Sequence, residues 1–402
     1  MCRGFDQSSN LQIFKSSNFQ IFKSFYMLLL SGPNISGNEW KYVKDCLDTG
    51  WVSSVGSYVD QFEKMTAEFA GTKFAVATSS GTTALHICLV MLGINEHDYV
   101  ITPNITFIAT CNSIKYTGAN PIFIDTDENS WQMDLNLLEE FLDNETEQRD
   151  NVCHYKKDGK RIPAIMPVHV LGNMCDMDRL MSLSKKHHLI VIEDSTEALG
   201  SYYKGKHAGS FGLLGTFSYN GNKIITTGGG GMIVTDDEAL AKKAKHLTTQ
   251  AKSDSFEYIH DEIGYNYRLV NVAAAMGVAQ MELLPSFIER KKEIIAFYKE
   301  ALMGVGDISF QQVDDNVNPN WWLPTIKTSS QRDVLKILND HKMQSRPFWV
   351  PMNQLRMFTD NIYYNKTDRS DFLYKHCLSI PCSTNITNEQ LKAVSEKIKE
   401  IF

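Results

Sequence analysis

The spacing of apolar residues predicts two helices near the beginning of the chain. The run Ser-Gly-Asn-Glu that starts at Ser36 matches a capping box, so the first helix is expected to begin there and to end before Gly50. Apolar side chains at helical spacing predict a second helix over residues 58–70, which Gly71 ends. Both segments precede a longer and more regular pattern.

Short strand-like runs then alternate with helical runs. The predicted strands are residues 74–77, 99–102, 121–125, 164–170 and 189–193. The predicted helices between them are residues 82–92, 106–117, 135–143 and 176–187. Two more strand-like runs, residues 215–219 and 232–235, flank a glycine cluster. This alternation is typical of an α/β domain with a largely parallel sheet.

The pattern changes at about Asn271. A long helical stretch with a break near Pro285 continues to about Leu302, and a mixed strand–helix tail follows. We therefore expect a large domain over residues 27–270 and a smaller C-terminal α/β domain over residues 271–402.

The first 26 residues differ from the rest, because they carry an eight-residue tandem near-repeat. We expect residues 1–26 to be a non-native or disordered leader, with Met27 as the true start. The alternative is a genuine N-terminal arm.

Composition narrows the function. The 402 residues carry a net charge of −7, which disfavours a non-specific nucleic-acid binder. No segment has the roughly 18 to 20 consecutive apolar residues of a membrane span. The eight cysteines form no C-x-x-C pair, and this usage indicates reduced thiols in a cytoplasmic protein.

Three local features carry candidate chemistry. Lys223 lies between an Asn-Gly-Asn run and four glycines, where it could bind phosphate, form a Schiff base or be an ordinary lysine. Asp194 ends an apolar strand and could pair with a protonated ring nitrogen or cap a helix. Residues 79–85, Ser-Ser-Gly-Thr-Thr-Ala-Leu, follow a strand and open a helix, as a phosphate site or a capped helix start would.

Together, in this order, the three features fit a pyridoxal phosphate (PLP) site. A Schiff-base lysine and an acid at the pyridine nitrogen are the groups that this cofactor requires. The acid keeps the ring nitrogen protonated, so that the ring can act as an electron sink.

With these motifs the chain resembles the DegT/StrS family of nucleotide-sugar aminotransferases. The resemblance runs from about Met27 onwards through residues 81–86, 102–110, 167–169, 192–194, 217–218 with Lys223, and 264–268. It implies a PLP-dependent type I (aspartate aminotransferase-like) fold, in which a large domain has a mostly parallel seven-stranded sheet. It also implies a homodimer with shared active sites, no membrane association and a cytoplasmic location.

The resemblance implies roles for individual residues at the cofactor. Lys223 would form the Schiff base and shuttle the proton, and Asp194 would pair with the pyridinium nitrogen. Thr82 and Thr83 would hold the phosphate, with Ser218 assisting.

Further roles concern the ring face, the partner subunit and the substrate. Phe107 would stack on the ring, although a core aromatic would fit its position too. Asn266 would reach the phosphate of the neighbouring subunit's cofactor. Arg268 and His169 are candidates for substrate contact, and His169 could instead be a satisfied strand-end histidine. The resemblance would also place Glu197 near the cofactor's phenolic oxygen, where many members have Gln, and a carboxylate there needs a proton or a cationic neighbour.

Within the family, the stretches at residues 30–40, 50–56 and 283–287 are most similar to legionaminic-acid-pathway 4-aminotransferases. The expected reaction transfers an amino group from L-glutamate to C4 of a UDP- or GDP-linked 2-acetamido-4-keto-6-deoxyhexose. Trp51 could pack on the sugar or base, or be buried, and Arg346 could contact a carboxylate or phosphate, or form a surface salt bridge.

Three alternatives stay open at this point. The main rival is another nucleotide-sugar aminotransferase, of perosamine or bacillosamine type. A PLP-dependent sugar dehydratase would have histidine in place of Lys223. A non-catalytic scaffold protein would not need Lys223, Asp194 and the phosphate loop together.

Overall fold

A computed structural model describes residues 27–254 and 256–402, so the expected leader at residues 1–26 lies outside the described residues. The helices in these ranges are α1 (Glu39–Thr49), α2 (Ser57–Ala70), α3 (Gly81–Met91), α4 (Ala109–Tyr116), α5 (Leu135–Glu145), α6 (Met177–Lys186), α7 (Glu238–Thr248), α8 (Asn271–Ala301), α9 (Gln331–Asp340), α10 (Arg369–His376) and α11 (Asn388–Lys399). No helix of this part of the chain is both long and apolar enough to cross a membrane.

Most strands belong to the N-terminal two thirds of the chain. They are β1 (Phe74–Thr78), β2 (Asp98–Pro103), β3 (Asn120–Ile124), β4 (Thr146–Arg149), β5 (Val152–Tyr155), β6 (Arg161–Ile165), β7 (Ile190–Asp194), β8 (Tyr202–Tyr203), β9 (Lys206–His207), β10 (Leu214–Ser218), β11 (Gly231–Thr235), β12 (Lys252–Asp254) and β13 (Ile259–His260). The later strands are β14 (Ser309–Phe310), β15 (Val317–Asn318), β16 (Thr325–Lys327), β17 (Arg346–Pro347), β18 (Ile362–Tyr364) and β19 (Cys377–Ser379).

The central sheet confirms the expected fold class. Its order is β1-β11-β10-β7-β6-β2-β3-β18, and β5 joins β4 to the edge of β6. The first seven strands of this order form the expected mostly parallel sheet, in which β11 runs antiparallel to both of its neighbours. Since β1, β7 and β10 therefore point the same way, their carboxyl ends meet at one edge, where α/β sheets bind ligands.

Helices cover both faces of this sheet. Val76 and Ile233 face one hydrophobic cluster, which residues of α3 and α7 complete. Ala77, Met232 and Val234 face the opposite cluster, which contains residues of α2 and α8. Burial on both faces explains why the central strands read as continuous apolar runs in the sequence.

The start of α1 differs from the expected capping box. The helix begins at Glu39 with Asn38 as N-cap, and no side chain caps it. The Glu39 carboxylate instead accepts hydrogen bonds from the Gly37 amide and from the side chain of Gln280 on α8. Tertiary contact with α8 therefore replaces the local box that was predicted at Ser36.

The expected break at Pro285 is also wrong, because α8 continues through it. Met281 and Leu284 before the proline and Ile288 after it are all buried in the same cluster. Packing of one continuous apolar face outweighs the hydrogen bond that proline cannot donate.

A second sheet lies in the C-terminal part, in the order β14-β16-β19-β17. The helix that begins at Asn271 precedes it, whereas β18 returns to pair with β3 of the central sheet. The division into domains 27–270 and 271–402 stays a prediction.

Close contact between β11 and the loop before α3 gives a test of the fold. A Cβ atom on Gly231 would lie 2.3 Å from the Ser80 carbonyl oxygen and 2.7 Å from the Gly81 amide nitrogen. Gly231→Ala is therefore expected to lower the free energy of unfolding by about 2 to 3 kcal/mol. Urea denaturation measures this change.

The matched control is Gly221→Ala, because a Cβ there meets no described heavy atom within 4 Å. We expect its free energy of unfolding to change by less than about 1 kcal/mol. Equal stability of the two variants would contradict the described contact between β11 and the loop.

Candidate active site

A cavity of about 390 Å³ opens where β7 and β10 end and α3 begins. Its lining includes Ser80, Thr82, Phe107, Ser218 and Lys223. Among the lining residues, Lys223 and Arg346 are cationic and none is a carboxylate. The lining therefore presents two cationic side chains to a ligand although the chain as a whole is acidic, and such side chains suit an anionic ligand.

Lys223 reaches this cavity from the turn after β10. Its side chain is 12% exposed, and its Nζ lies 3.8 Å from Glu197 Oε1. The same Nζ lies 3.8 Å from the centre of the Trp322 ring. Burial lowers the pKa of Lys223, and the nearby carboxylates of Glu197 and Asp194 oppose that shift only in part. A lysine in this environment gives up its proton more readily than a surface lysine and can act as a nucleophile.

Trp322 is a site residue that sequence reasoning missed. Its indole N–H donates to the backbone carbonyl of Asn222 at 2.7 Å, next to Lys223. Its own backbone N–H donates to Asn320 Oδ1, and its carbonyl accepts from the buried Lys291 Nζ. One hydrogen bond thus ties the indole to the turn that carries the lysine, and the other two fix the backbone of Trp322.

Asp194 lies buried at the end of β7 with both oxygens fixed. Oδ2 accepts a hydrogen bond from Thr110 Oγ1 at 2.7 Å. Oδ1 accepts from Thr196 Oγ1 at 2.7 Å and from the Thr196 amide at 3.2 Å. A protonated ring nitrogen would therefore meet an acceptor whose position is already set. Thr110 and Thr196 were not identified from the sequence.

The two threonines that are expected to bind phosphate have different surroundings at the start of α3. Ser80 and Thr83 form a reciprocal capping box, in which the Thr83 amide donates to Ser80 Oγ and the Ser80 amide donates to Thr83 Oγ1. The Thr83 hydroxyl also donates to the Ser80 carbonyl, so both polar groups of Thr83 are engaged. Thr82 lines the cavity together with Ser80 and Gly81. The expected phosphate contact therefore fits Thr82 and does not fit Thr83.

Phe107 and Ser218 both line the cavity as expected. Phe107 is 54% exposed, which is unusual for a phenylalanine and excludes a core position. Its ring is therefore free to pack on a planar ligand. Ser218 ends β10, and its hydroxyl accepts from the Asn220 amide.

His169 does not reach the cavity. Its side chain is fully buried, and Nε2 lies 2.9 Å from Glu193 Oε2. The expectation that His169 contacts the substrate is corrected accordingly, because a ring enclosed in this way has no surface to offer. The alternative of a satisfied strand-end histidine fits only at Nε2, since Nδ1 has no hydrogen-bond partner in the described structure.

Three other expected residues lie outside this chain's cavity lining. Asn266 is exposed, and Arg268 is half-buried beside Thr78 at the end of β1. Trp51 is 58% exposed, so the alternative of a buried tryptophan is wrong. Arg346, by contrast, lines the cavity, and no ion pair is described for it in the structured part of the chain.

Comparisons with known proteins fit this geometry. The family model described as the DegT/DnrJ/EryC1/StrS aminotransferase family matches residues 33–399. The GDP-perosamine synthase of Escherichia coli O157:H7 is 39% identical over 92% of this chain and 97% of its own. That of Caulobacter vibrioides is 39% identical over 81% and 85%. Helicobacter pylori PseC, an aminotransferase involved in the biosynthesis of pseudoaminic acid, has a TM-score of 0.83 at 25% identity and covers 94% of this chain and 99% of its own.

The two adjacent threonines allow a paired test of the loop. Thr83→Ala removes half of the capping box and is expected to lower the free energy of unfolding by about 1 kcal/mol, with PLP retention unchanged. Thr82→Ala is expected to leave stability unchanged and to weaken PLP retention about 10-fold or more, the effect of one lost hydrogen bond to a charged group. Urea denaturation and absorbance after dialysis measure the two properties. Loss of PLP from Thr83→Ala alone would reverse the assignment.

Proposed function

The chain belongs to the DegT/DnrJ/EryC1/StrS aminotransferase family, and from this premise we propose that it transfers an amino group from L-glutamate to C4 of a GDP-linked 4-keto-6-deoxyhexose. It is a PLP-dependent nucleotide-sugar aminotransferase. The observation that carries the proposal is the cavity lined by Lys223 and the start of α3, with Asp194 buried behind the lining residue Thr196, which donates a hydrogen bond to it.

The choice of sugar rests on the relatives. Two of them are GDP-perosamine synthases, at 39% identity each, and they favour the perosamine-type alternative over the legionaminic-type substrate that was expected first. The two candidate sugars differ at C2, which carries a hydroxyl in the perosamine type and an acetamido group in the legionaminic type. We propose the GDP-linked 2-hydroxy sugar and keep the 2-acetamido sugar as the competing substrate.

The residues of the cavity fit the cofactor. Lys223 would hold its aldehyde carbon, and Asp194 would accept from its ring nitrogen. The start of α3, with Ser80 and Thr82, would hold its phosphate, because helix N-terminal amides bind anions. Phe107 would cover a ring face. When bound, PLP supplies an electron sink for the carbon that loses a proton.

Lys223 also performs the proton transfer in this proposal. Its Nζ would take a proton from the α-carbon of glutamate in the first half-reaction and pass it to the cofactor's former aldehyde carbon. In the second half-reaction it would take a proton from that carbon and deliver it to C4 of the sugar. A positioned base of this kind contributes about 10² to 10⁴ in rate. The lowered pKa of Lys223 keeps a larger fraction of the amine unprotonated and ready for the first step.

Arg346 is the candidate for the substrate's negative charge. Its guanidinium is exposed at the cavity, and its one described hydrogen bond goes to the Ser345 carbonyl. Guanidinium N–H groups bind carboxylates and phosphates with paired hydrogen bonds. Both the glutamate donor and the sugar nucleotide carry such groups.

A homodimer with shared active sites is part of the proposal. Exposed large apolar residues of the described chain include Trp40, Trp51, Phe256 and Ile263. Such residues mark surfaces that a second copy can cover. The exposed Asn266 would reach the phosphate of the partner's cofactor, and Arg268 and Trp51 would serve the substrate from the same interface.

A cytoplasmic location is also proposed. The seven described cysteines are buried and none forms a disulfide. Reduced thiols of this kind are the rule in reducing compartments.

The alternatives outside the aminotransferases lose support. A PLP-dependent dehydratase has histidine where Lys223 stands, and this lysine lines the cavity. A scaffold without catalytic activity would not need a buried lysine between two carboxylates, an arrangement that costs folding energy.

The central test uses the purified enzyme, L-glutamate and four keto sugars, namely GDP- and UDP-linked forms with either a hydroxyl or an acetamido group at C2. Mass spectrometry of the products should show amination of the GDP-linked 2-hydroxy sugar. Lys223→Ala should form no product, and the exposed Lys242→Ala should match the parent. Amination by Lys223→Ala would contradict the assigned mechanism, and preference for the 2-acetamido sugar would restore the legionaminic type.

Arg346→Gln tests whether the Arg346 guanidinium binds a negatively charged group of the substrate. Loss of a charge-assisted hydrogen bond pair is expected to lower kcat/KM about 10- to 100-fold, mainly through KM. Arg332→Gln is the matched control, because that guanidinium lies over Tyr374 and outside the cavity lining. Steady-state kinetics with glutamate and the sugar nucleotide varied in turn would show which ligand it binds. Equal effects of the two variants would remove Arg346 from the site.

A further inference from the structure

Two buried glutamates near the end of β7 have very different surroundings. Glu193 accepts four hydrogen bonds, from the amides of Gly209, Phe211 and Gly212 and from His169. Burial alone would raise the pKa of Glu193, but these donors hold it below its ordinary value. Glu193 is therefore a permanent carboxylate with a structural role.

Glu197 is as deeply buried but has one described hydrogen-bond donor. The Leu171 amide donates to its Oε2 at 2.8 Å, while its Oε1 faces Lys223 Nζ at 3.8 Å. The charged groups that face it are Lys223 and the carboxylate of Asp194. A negative charge on Glu197 is thus balanced mainly by the lysine's positive charge.

The backbone around Glu197 is fixed in this arrangement. Leu171 adopts a left-handed conformation, with φ of 60°, and so presents its amide to the carboxylate. Asn320 Nδ2 donates to the backbone carbonyl of Glu197 at 2.8 Å. With these contacts Glu197 is only 3% exposed, so its carboxyl group lies away from water.

That balance changes whenever Lys223 changes its bonding. With the amine free and protonated, carboxylate and ammonium form an ion pair. With Nζ covalently engaged by the cofactor, an ionised Glu197 would keep one amide donor beside the negative Asp194. An ion buried in this way takes up a proton instead. Burial raises the pKa of Glu197 to about 7 even with Lys223 opposing the shift.

We propose that Glu197 stores the proton of Lys223: its carboxylate takes a proton from the ammonium before Nζ attacks the cofactor, and it keeps that proton while the cofactor is bound, so that Nζ is an unprotonated amine when glutamate releases it. The inference rests on the proposed role of Lys223. In the forward step one N–H bond breaks and one O–H bond forms, which leaves a neutral carboxyl group and a neutral amine, with no change in oxidation state. The two atoms must approach from 3.8 Å to about 3 Å, and rotation of the flexible lysine chain provides this movement.

Infrared difference spectroscopy tests the proposal without measuring turnover. Holoenzyme minus apoprotein at pH 7.5 should show the C=O stretch of a protonated carboxyl group. The band should be absent from Glu197→Gln and present, shifted, in Glu197→Asp. Absence of the band from wild-type holoenzyme, or its persistence in Glu197→Gln, would overturn the proposal.

The rate of PLP uptake by apoprotein gives a second readout. Glu197→Gln cannot accept the ammonium proton, so we expect uptake at neutral pH to slow about 100-fold and to depend more steeply on pH, as loss of a positioned base would cause. Glu197→Asp should recover most of the rate, and thermal unfolding should show that both variants are folded. Uptake by Glu197→Gln at the wild-type rate would contradict the proton transfer.

The two proposals fail in different ways. If the aminotransferase proposal is wrong, the loaded enzyme will not react with glutamate, whatever the infrared spectrum shows. If the proton-storing proposal alone is wrong, the amino group will still be transferred and the carboxyl band will be missing.

Discussion

Burial of one lysine amine beside two carboxylates is the constraint on which the rest of the site depends. An isolated ammonium group would be costly in this position, and Lys223 is tolerated because Glu197 and the Trp322 ring lie within 4 Å of it. Burial holds the pKa of Lys223 below its ordinary value, and the carboxylates of Glu197 and Asp194 oppose this shift in part. The contacts that stabilise the buried ammonium therefore also oppose its deprotonation, and a change at Glu197 affects both the stability and the reactivity of this position.

The fold assembles these groups from distant parts of the chain. Parallel strands β7 and β10 bring Asp194 and the Lys223 turn to one sheet edge. The C-terminal part adds Trp322, which is tied to α8 through the buried Lys291. Lys291 also donates a hydrogen bond to the carbonyl of Cys382, which follows β19 of the second sheet. This one buried lysine therefore connects α8 both to the segment after β19 and to Trp322 in the cavity lining.

Local sequence motifs predicted those site residues whose position depends on neighbouring residues in the chain. A strand-end acid, a lysine before a glycine cluster and a capped helix start predicted Asp194, Lys223 and the phosphate loop. The pattern could not separate Thr82 from Thr83, because the reciprocal cap with Ser80 decides which hydroxyl is free. It missed Trp322, since that contact spans 100 residues and has no motif. It also placed a break at Pro285, where packing of one continuous apolar face keeps α8 intact.

The most direct test of the central claim is the absorbance spectrum of the PLP-loaded enzyme during stepwise addition of L-glutamate and then of the keto-sugar nucleotide. The account predicts that glutamate replaces the visible band of the aldehyde form with the near-ultraviolet band of the amine form, and that the sugar restores the first band. A spectrum that glutamate leaves unchanged would contradict the account, because Lys223 would then hold a cofactor that does not accept the amino group.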